Sequence, residues 1–356
     1  MSNATPLTLS YRRHVATLAW RLVWLALALI AAVLLSLCSG ATGVTFSDLL
    51  TTLTDKADAA TRTILFSIRL PRLTAAVVVG ATLSLAGCVM QNVLRNPLAS
   101  SSTLGVSQGA AFGAAFAIVF FEAGVSTAGN SGLGIVATNL YTISLCAFAG
   151  GLATTSVILA LARFARVSPA SMILAGVAMG SMFAGGTALI QYFADDIQVS
   201  SIVHWTFGDL GKIGWEEIAT IAAVSALGFL YFMRNYWNYN ALDAGINTAT
   251  SLGIAVGRLI VISMTVCALL ASVCVAFVGT ISFIGLIAPH IARHFVGANH
   301  RFLLPASALT GATILVLAEW CSRMLVSPTV LPIGALTSFL GAPLFLYLIF
   351  KGGRRL

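Results

Sequence analysis

Few residues in this sequence could do chemistry, and their spacing narrows what that chemistry could be. Glu319 and Arg323 stand four apart, which sets opposite charges on one helix face, within an otherwise apolar stretch. His290 and His294 repeat that spacing and would share a face, as metal ligands can, but no third ligand lies nearby in sequence. Asp195 and Asp196 are adjacent, so on a helix they would point apart, which suits an acidic loop better than a carboxylate pair. Only Lys56, Lys212 and Lys351 are available as lysines, and none ends a Gly-x-x-x-x-Gly-Lys-Ser/Thr phosphate loop. Cys38, Cys88, Cys146, Cys267, Cys274 and Cys321 lie inside or at the ends of apolar blocks without a Cys-x-x-Cys pair, which reads as buried structural thiols. Neither an enzyme active site nor a metal centre on this chain is expected, and no resident cofactor.

The elements that carry these residues are dictated by composition. Of 356 residues, 58% are hydrophobic and 8% charged, whereas a soluble domain carries about 25% charged residues. Apolar blocks of roughly 18 residues, enough to cross ~30 Å of hydrocarbon, recur near 18–38, 73–94, 104–121, 140–162, 172–193, 216–233, 259–278, 283–296, 302–322 and 333–350. The expected fold class is an all-α membrane protein of about ten helices, one domain over residues 1–356, with residues 1–17 as a cytoplasmic N-terminal segment. The eighth block is short, holds Pro289 and is flanked by Gly279 and Gly285, so it is expected to be tilted or irregular and buried among its neighbours. The first block is longer than the 7–15 residues of a signal-peptide core and is read as a retained span. Leu35-Ser36-Leu37-Cys38 faintly resembles a lipoprotein cleavage site, with a bulky Leu where a small residue belongs.

Charge then orients the blocks. On the side of the termini lie Arg12, Arg13, Arg21, Arg95, Arg163, Arg166, Arg234, Arg258, Arg293, Arg301, Lys351, Arg354 and Arg355, against Asp243 alone. The other side has Lys56, Arg62, Arg69, Arg72, Lys212 and Arg323, outnumbered by nine acids that include Asp195, Asp196, Glu216 and Glu217. Lys and Arg are retained in the cytoplasm during insertion, so both termini are expected there. Because the arginines fall in ones and twos between apolar blocks, the net charge of +8 does not describe a nucleic-acid stripe. Arg69, Arg72 and Arg323 run against the segregation. They either snorkel to headgroups and pair locally with Glu319 or form a basic docking surface for an acidic partner outside.

The most informative stretch runs Arg69-Leu-Pro-Arg72, Gly80-Ala-Thr-Leu-Ser-Leu-Ala-Gly87, Gln91, Arg95-Asn-Pro-Leu-Ala99 and Leu104-Gly105-Val-Ser107-Gln-Gly109. Gly80, Ser84, Gly87 and Cys88 would let helices approach closely, and Asn96-Pro97 would end a helix. This string resembles the permeases of the iron-siderophore, haem and cobalamin ABC importer family, in which R-x-P-R, G-x-x-L-x-x-x-G-x-x-x-Q and N-P-L-A-x-x-x-x-L-G recur in this order. Further on, Gly279-Thr-Ile-Ser-Phe283-Ile-Gly285-Leu-Ile-Ala-Pro289-His290-Ile-Ala-Arg293 is similar to the family's G-x-I-x-F-x-G-L-x-x-P-H-x-x-R, and Leu331-Pro332-Ile-Gly334 through Gly341-Ala-Pro343 to its last span. Leu174-Ala-Gly176 matches the fifth span, so the resemblance covers nearly the whole chain.

The resemblance implies a dimer of permeases, here a homodimer, with a binding protein delivering a metal chelate from outside. Arg69, Arg72 and Arg323 match the arginines that meet the binding protein's acids. Gln91, Asn96 and Leu98 match the cytoplasmic gate and pathway, with Pro169 and Ala170, in the Ser168–Ser171 stretch, as the second inner constriction. Residues 238–256, with Leu242, Gly245, Ala249, Leu252 and Gly253, are similar to the coupling helices that sit in a groove of the ATPase. Pro97, Gly105, Pro289 and His290 match structural motif positions. Two ATP-binding subunits would supply ATP and Mg chemistry, membrane lipid would surround the bundle, and nucleic acid would play no part. The implied bundle has inverted halves, spans two to five and seven to ten. An iron-siderophore leads the cargo by family frequency, ahead of haem, cobalamin and molybdate. The competing class is an ion-coupled secondary transporter, which would keep a membrane-buried carboxylate; Glu319 is the one candidate.

Overall fold

The computed structural model describes residues 6–39, 62–123, 140–164 and 169–352. Among them all regular structure is helical: α1 Pro6–Cys38, a π-helical stretch Ile64–Arg69 running into α2 Leu70–Val93, α3 Val106–Phe120, α4 Leu140–Phe164 and α5 Pro169–Phe193. There follow α6 Asp196–Thr206, α7 Trp215–Arg234, α8 Tyr236–Asp243, α9 Ile246–Ser251, α10 Val256–Val278, α11 Ile284–Val296, α12 His300–Met324 and α13 Ile333–Gly352. A helix stands at each of the ten apolar blocks. Seven helical stretches among the described residues are long and apolar enough to cross a bilayer. Helix α11 has only 13 residues, opens on Phe283 at φ 66° and keeps Pro289 buried inside it, the irregular span its sequence suggests.

Two boundaries depart from the sequence reading. Helix α1 is already formed at Pro6, well ahead of residue 18. Asp195 and Asp196, read above as an acidic loop, open α6 instead. The Asp195 carboxylate accepts from the Gln198 amide at 2.7 Å while the Gln198 side chain accepts from the Asp195 amide at 3.2 Å, a reciprocal cap that satisfies two otherwise orphaned donors.

The π stretch has a local cause. Pro71 has no amide hydrogen and its ring crowds the carbonyl four residues back, so the preceding turn widens and the Leu70 amide bonds Leu65 five residues back. The helix continues through the proline, and Arg69 and Arg72 are carried into the top of α2.

Packing follows a two-fold pattern. Helix α2 packs on α10, α11 and α12, while α10 packs on α2, α3 and α4. Within the halves, α3–α4 and α3–α5 contacts are matched by α11–α12 and α11–α13. The two short helices correspond as well, since α3 opens on Gly105 at φ 76° and α11 on Phe283 at φ 66°. With α7 as the single span between them, these halves are inverted. Small residues set the distances. A Cβ at Gly87 would fall against the Gly285 carbonyl, one at Gly80 against that of Gly311, and one at Gly105 against that of Gly176. In lipid, helices gain little hydrophobic energy from meeting, so such close van der Waals approach holds them together.

The bundle has two polar ends. Helix α1 runs parallel to α12: Ser36 meets Glu319, while Arg21 donates at 2.6 Å to the Phe295 carbonyl near the start of α12. Helix α13 runs beside α11 in the same sense, with Gly334 against Thr280 and Gly341 against Phe283 and Ile287. The first and last described helices therefore share the His300 end, opposite the Glu319 end.

Candidate functional site

At the Glu319 end, charge converges on one carboxylate. Glu319 is fully buried, and Arg323, one turn on, places Nε 2.6 Å from Oε1 and Nη2 3.0 Å from Oε2. Arg72 comes from the neighbouring α2, its Nε 2.9 Å from Oε1, an ion pair without hydrogen-bond alignment. Helix α1 closes the cluster: Ser36 Oγ lies 3.1 Å from Oε2, and Arg323 also donates to Ser36 Oγ at 2.6 Å and to the Ser39 carbonyl at 3.1 Å. Arg69 is 7% exposed and donates to the Leu37 carbonyl at 2.7 Å. A buried carboxylate demands such partners. Among the described residues, Arg72 and Arg323 thus share the Glu319 carboxylate, with Arg69 beside them.

The structure gathers Arg69, Arg72 and Arg323 at one end of the bundle. Side-chain exposures of 14% for Arg72 and 15% for Arg323 show guanidinium groups turned largely inward.

At the His300 end the chemistry is of neutral amides. Helix α2 ends in a tight turn in which the Arg95 amide bonds the Asn92 carbonyl and the Asn96 amide the Gln91 carbonyl, both at 3.0 Å, with Arg95 at φ 49°. Asn96 Oδ1 then accepts from the Leu98 amide at 2.8 Å, an Asx turn that fixes the chain before and after Pro97. Leu98 is 42% exposed at the tip. Gln91 is placed differently from the surface of a pathway: it is buried, and its Nε2 donates to the Leu286 carbonyl at 3.2 Å, stapling α2 to α11. Pro169 opens α5 and Ala170 is exposed, while Ser168 lies outside the described residues.

Residues 238–256 fold as α8 and α9, joined through Gly245 at φ 126°, a conformation open to glycine. Leu242 and Ala249 are buried against the bundle, whereas Ile246, Leu252 and Gly253 face outward. The segment therefore has an anchoring face and a free apolar face.

The sequence reading missed what anchors it. Asn92, on the last turn of α2, donates to Asp243 Oδ1 at 2.6 Å and to the Tyr239 carbonyl at 3.2 Å. His300 is fully buried, with Nδ1 3.0 Å from Asn240 Oδ1 and 3.4 Å from Asp243 Oδ2. Both neighbours are acceptors, so Nδ1 carries the proton. Asn240 Oδ1 also receives the His300 amide at 2.8 Å, its Nδ2 donates to Asn299 Oδ1 at 3.0 Å, and the Tyr239 hydroxyl meets Ser263 Oγ at 2.9 Å. Burial pushes the Asp243 carboxyl up, and the Asn92 hydrogen bond with the Arg293 and Arg95 charges draws it back. The side chain is 43% exposed, so solvent moderates both effects. Elsewhere the His290 and His294 rings lie 5.3 Å apart, tilted by 51°, and His294 Nδ1 lies 3.0 Å from the His290 carbonyl. No cluster of three metal-ligating residues occurs among the described residues.

Comparison with known proteins places this geometry. The profile described as "FecCD transport family" matches residues 28–351. A protein of Methanocaldococcus jannaschii assigned as an ABC transporter permease is 52% identical over 292 residues, 82% of this chain and 83% of its own length. The hemin transport system permease protein of Yersinia pestis is 36% identical over 286 residues, 80% of this chain and 82% of its own. A solved transporter in an inward-facing conformation, assigned to the metal-chelate ABC type, superposes with a TM-score of 0.80 at 31% identity, covering 93% of this chain and 98% of its own.

Proposed function

Because the chain belongs to the FecCD transport family, we propose that this permease of a metal-chelate ABC importer carries an iron-siderophore, as one half of a homodimer. It sits in the cytoplasmic membrane with both termini inside, so the Glu319 end faces outward and the Asn96 turn inward. Iron is favoured because the Yersinia relative handles hemin, itself an iron chelate. Haem, cobalamin and molybdate are the other cargoes the same reading admits.

The observation that carries the docking reading is the gathering of Arg69, Arg72 and Arg323 around Glu319. With three arginines gathered there, that end suits the acidic lobes of a binding protein, whose carboxylates would meet Arg72 and Arg323. At the other end the outward residues Ile246 and Leu252 offer an apolar grip to an ATPase subunit, two of which would hydrolyse ATP with Mg. The Asn96–Leu98 turn and the start of α5 at Pro169 and Ala170 would form the inner constrictions. Differential contact with the ATP-bound ATPase pair would shift the bundle between outward and inward openings.

Glu319 also bears on the competing class. A carboxylate used for ion coupling must exchange its partner during the cycle, whereas Glu319 is enclosed by Arg72, Arg323 and Ser36. Reconstitution distinguishes the two. Proteoliposomes holding the permease and its ATPase should accumulate a ferric hydroxamate only with binding protein on the Glu319 side and ATP on the Asn96 side. Uptake driven by a proton or sodium gradient without the ATPase would overturn the reading. Mass spectrometry of the chelate that co-purifies with the binding protein would name the cargo.

A further inference from the structure

We infer that Asn92, Asp243, Asn240 and His300 lock α8 to the last turn of α2, so that a pull on residues 238–256 is delivered to the Asn96–Leu98 turn. This rests on the coupling role proposed above and adds the residues through which force reaches the gate.

Three features carry it. First, Asn92 and His300 are nearly or fully buried in a chain with few charged residues, where a buried amide or imidazole is costly unless paired. Their partners are each other's neighbours: Asp243 faces Asn92 with one oxygen and His300 with the other, and Asn240 takes both the backbone and ring nitrogens of His300. Three helices, α2, α8 and α12, are therefore held by bonds that have direction. Apolar contacts slide; a 2.6 Å hydrogen bond to a carboxylate fixes distance and angle.

Second, Asn92 lies within the turn that ends α2. Its carbonyl takes the Arg95 amide, and the preceding Gln91 carbonyl takes the Asn96 amide. Any displacement of Asp243 is thus handed from Asn92 to Asn96 through main-chain bonds, and Asn96 positions Leu98.

Third, the remainder of the segment is arranged for transmission. Leu242 and Ala249 are fully buried on the bundle side, while Ile246 and Leu252 are exposed for a partner to hold. Asn92, Asp243 and His300 act as positioning residues; none touches cargo.

The test uses the whole transporter, with its ATPase and binding protein, in lipid nanodiscs. A spin label at Leu98→Cys, with Cys38, Cys146 and Cys321 replaced by serine, reports the distance between the two gates of the dimer before and after ATP with vanadate. Asp243→Ala should reduce the nucleotide-driven distance change to less than half while the ATPase still co-purifies, and Asp243→Asn, which keeps an acceptor for Asn92, should restore most of it. A full response in Asp243→Ala with the ATPase retained would overturn the inference. Should that variant lose the ATPase, Asn92→Leu leaves the segment's exposed face intact and is judged by the same two outcomes. If the parent label does not respond to nucleotide although the ATPase is bound, the coupling reading itself falls, and the network's role with it.

Discussion

The two polar ends of this bundle solve the same problem with different chemistry. At the Glu319 end, α1, α2 and α12 are joined by full charges around one buried carboxylate. At the His300 end, α2, α8 and α12 are joined mainly by amides, a neutral imidazole and one half-exposed carboxylate. Ion pairs are strong but tolerant of angle, and several arginines sharing one carboxylate can also meet a carboxylate from outside. Amide hydrogen bonds are weaker and directional, which suits passing on a movement rather than attracting a partner.

Substitutions should separate the two designs. Glu319→Ala leaves two guanidinium groups facing an empty carboxylate site, and losing one partner of a buried ion pair costs about 3–5 kcal/mol. Thermal unfolding in detergent should register it as the largest loss of any single change at either end. Should Glu319→Ala prove neutral, the cluster is solvated and the contrast between the ends disappears. Asn92→Leu strips a donor from Asp243 and from the Tyr239 carbonyl, which should lower stability by about 1–3 kcal/mol. Its transport defect should exceed what that instability explains, measured as uptake per folded transporter. Tyr239→Phe removes only the hydroxyl that meets Ser263, for about 1 kcal/mol, with uptake unchanged. Smallest is salt: at 1 M the screening length falls to about 3 Å, yet the Glu319→Ala deficit should move by less than about 0.5 kcal/mol, because the pairs are buried. A deficit that vanishes in salt would place them at the surface.

How much of this could be read in advance depended on the kind of signal. Ten apolar blocks announced ten helices, because hydrocarbon thickness sets a length that sequence displays directly. The short α8 and α9 were legible only as a segment resembling a docking loop, and α6 was missed. Its signal was present as Asp195 with Gln198 three residues on, a cap that the long apolar runs on either side overshadow. Glu319 with Arg323 could be seen from four-residue spacing, but the arrival of Arg72 from α2 could not. The His300 network left no trace in the sequence, since Asn92, Asn240 and His300 are ordinary polar residues that meet only because α2, α8 and α12 converge. Gln91 matched a motif by position, and the fold spends it on the α11 carbonyls.

The crossed packing of α2 and α10 has a consequence for how the chain is made. Each of these helices finds much of its surroundings in the opposite half, α2 on α11 and α12, α10 on α3 and α4. As the ribosome releases the chain, α2 enters the bilayer well before the residues that will enclose it exist. Its glycine-lined flank must wait among lipids, so the two halves clasp each other late and neither would assemble as a free-standing fragment.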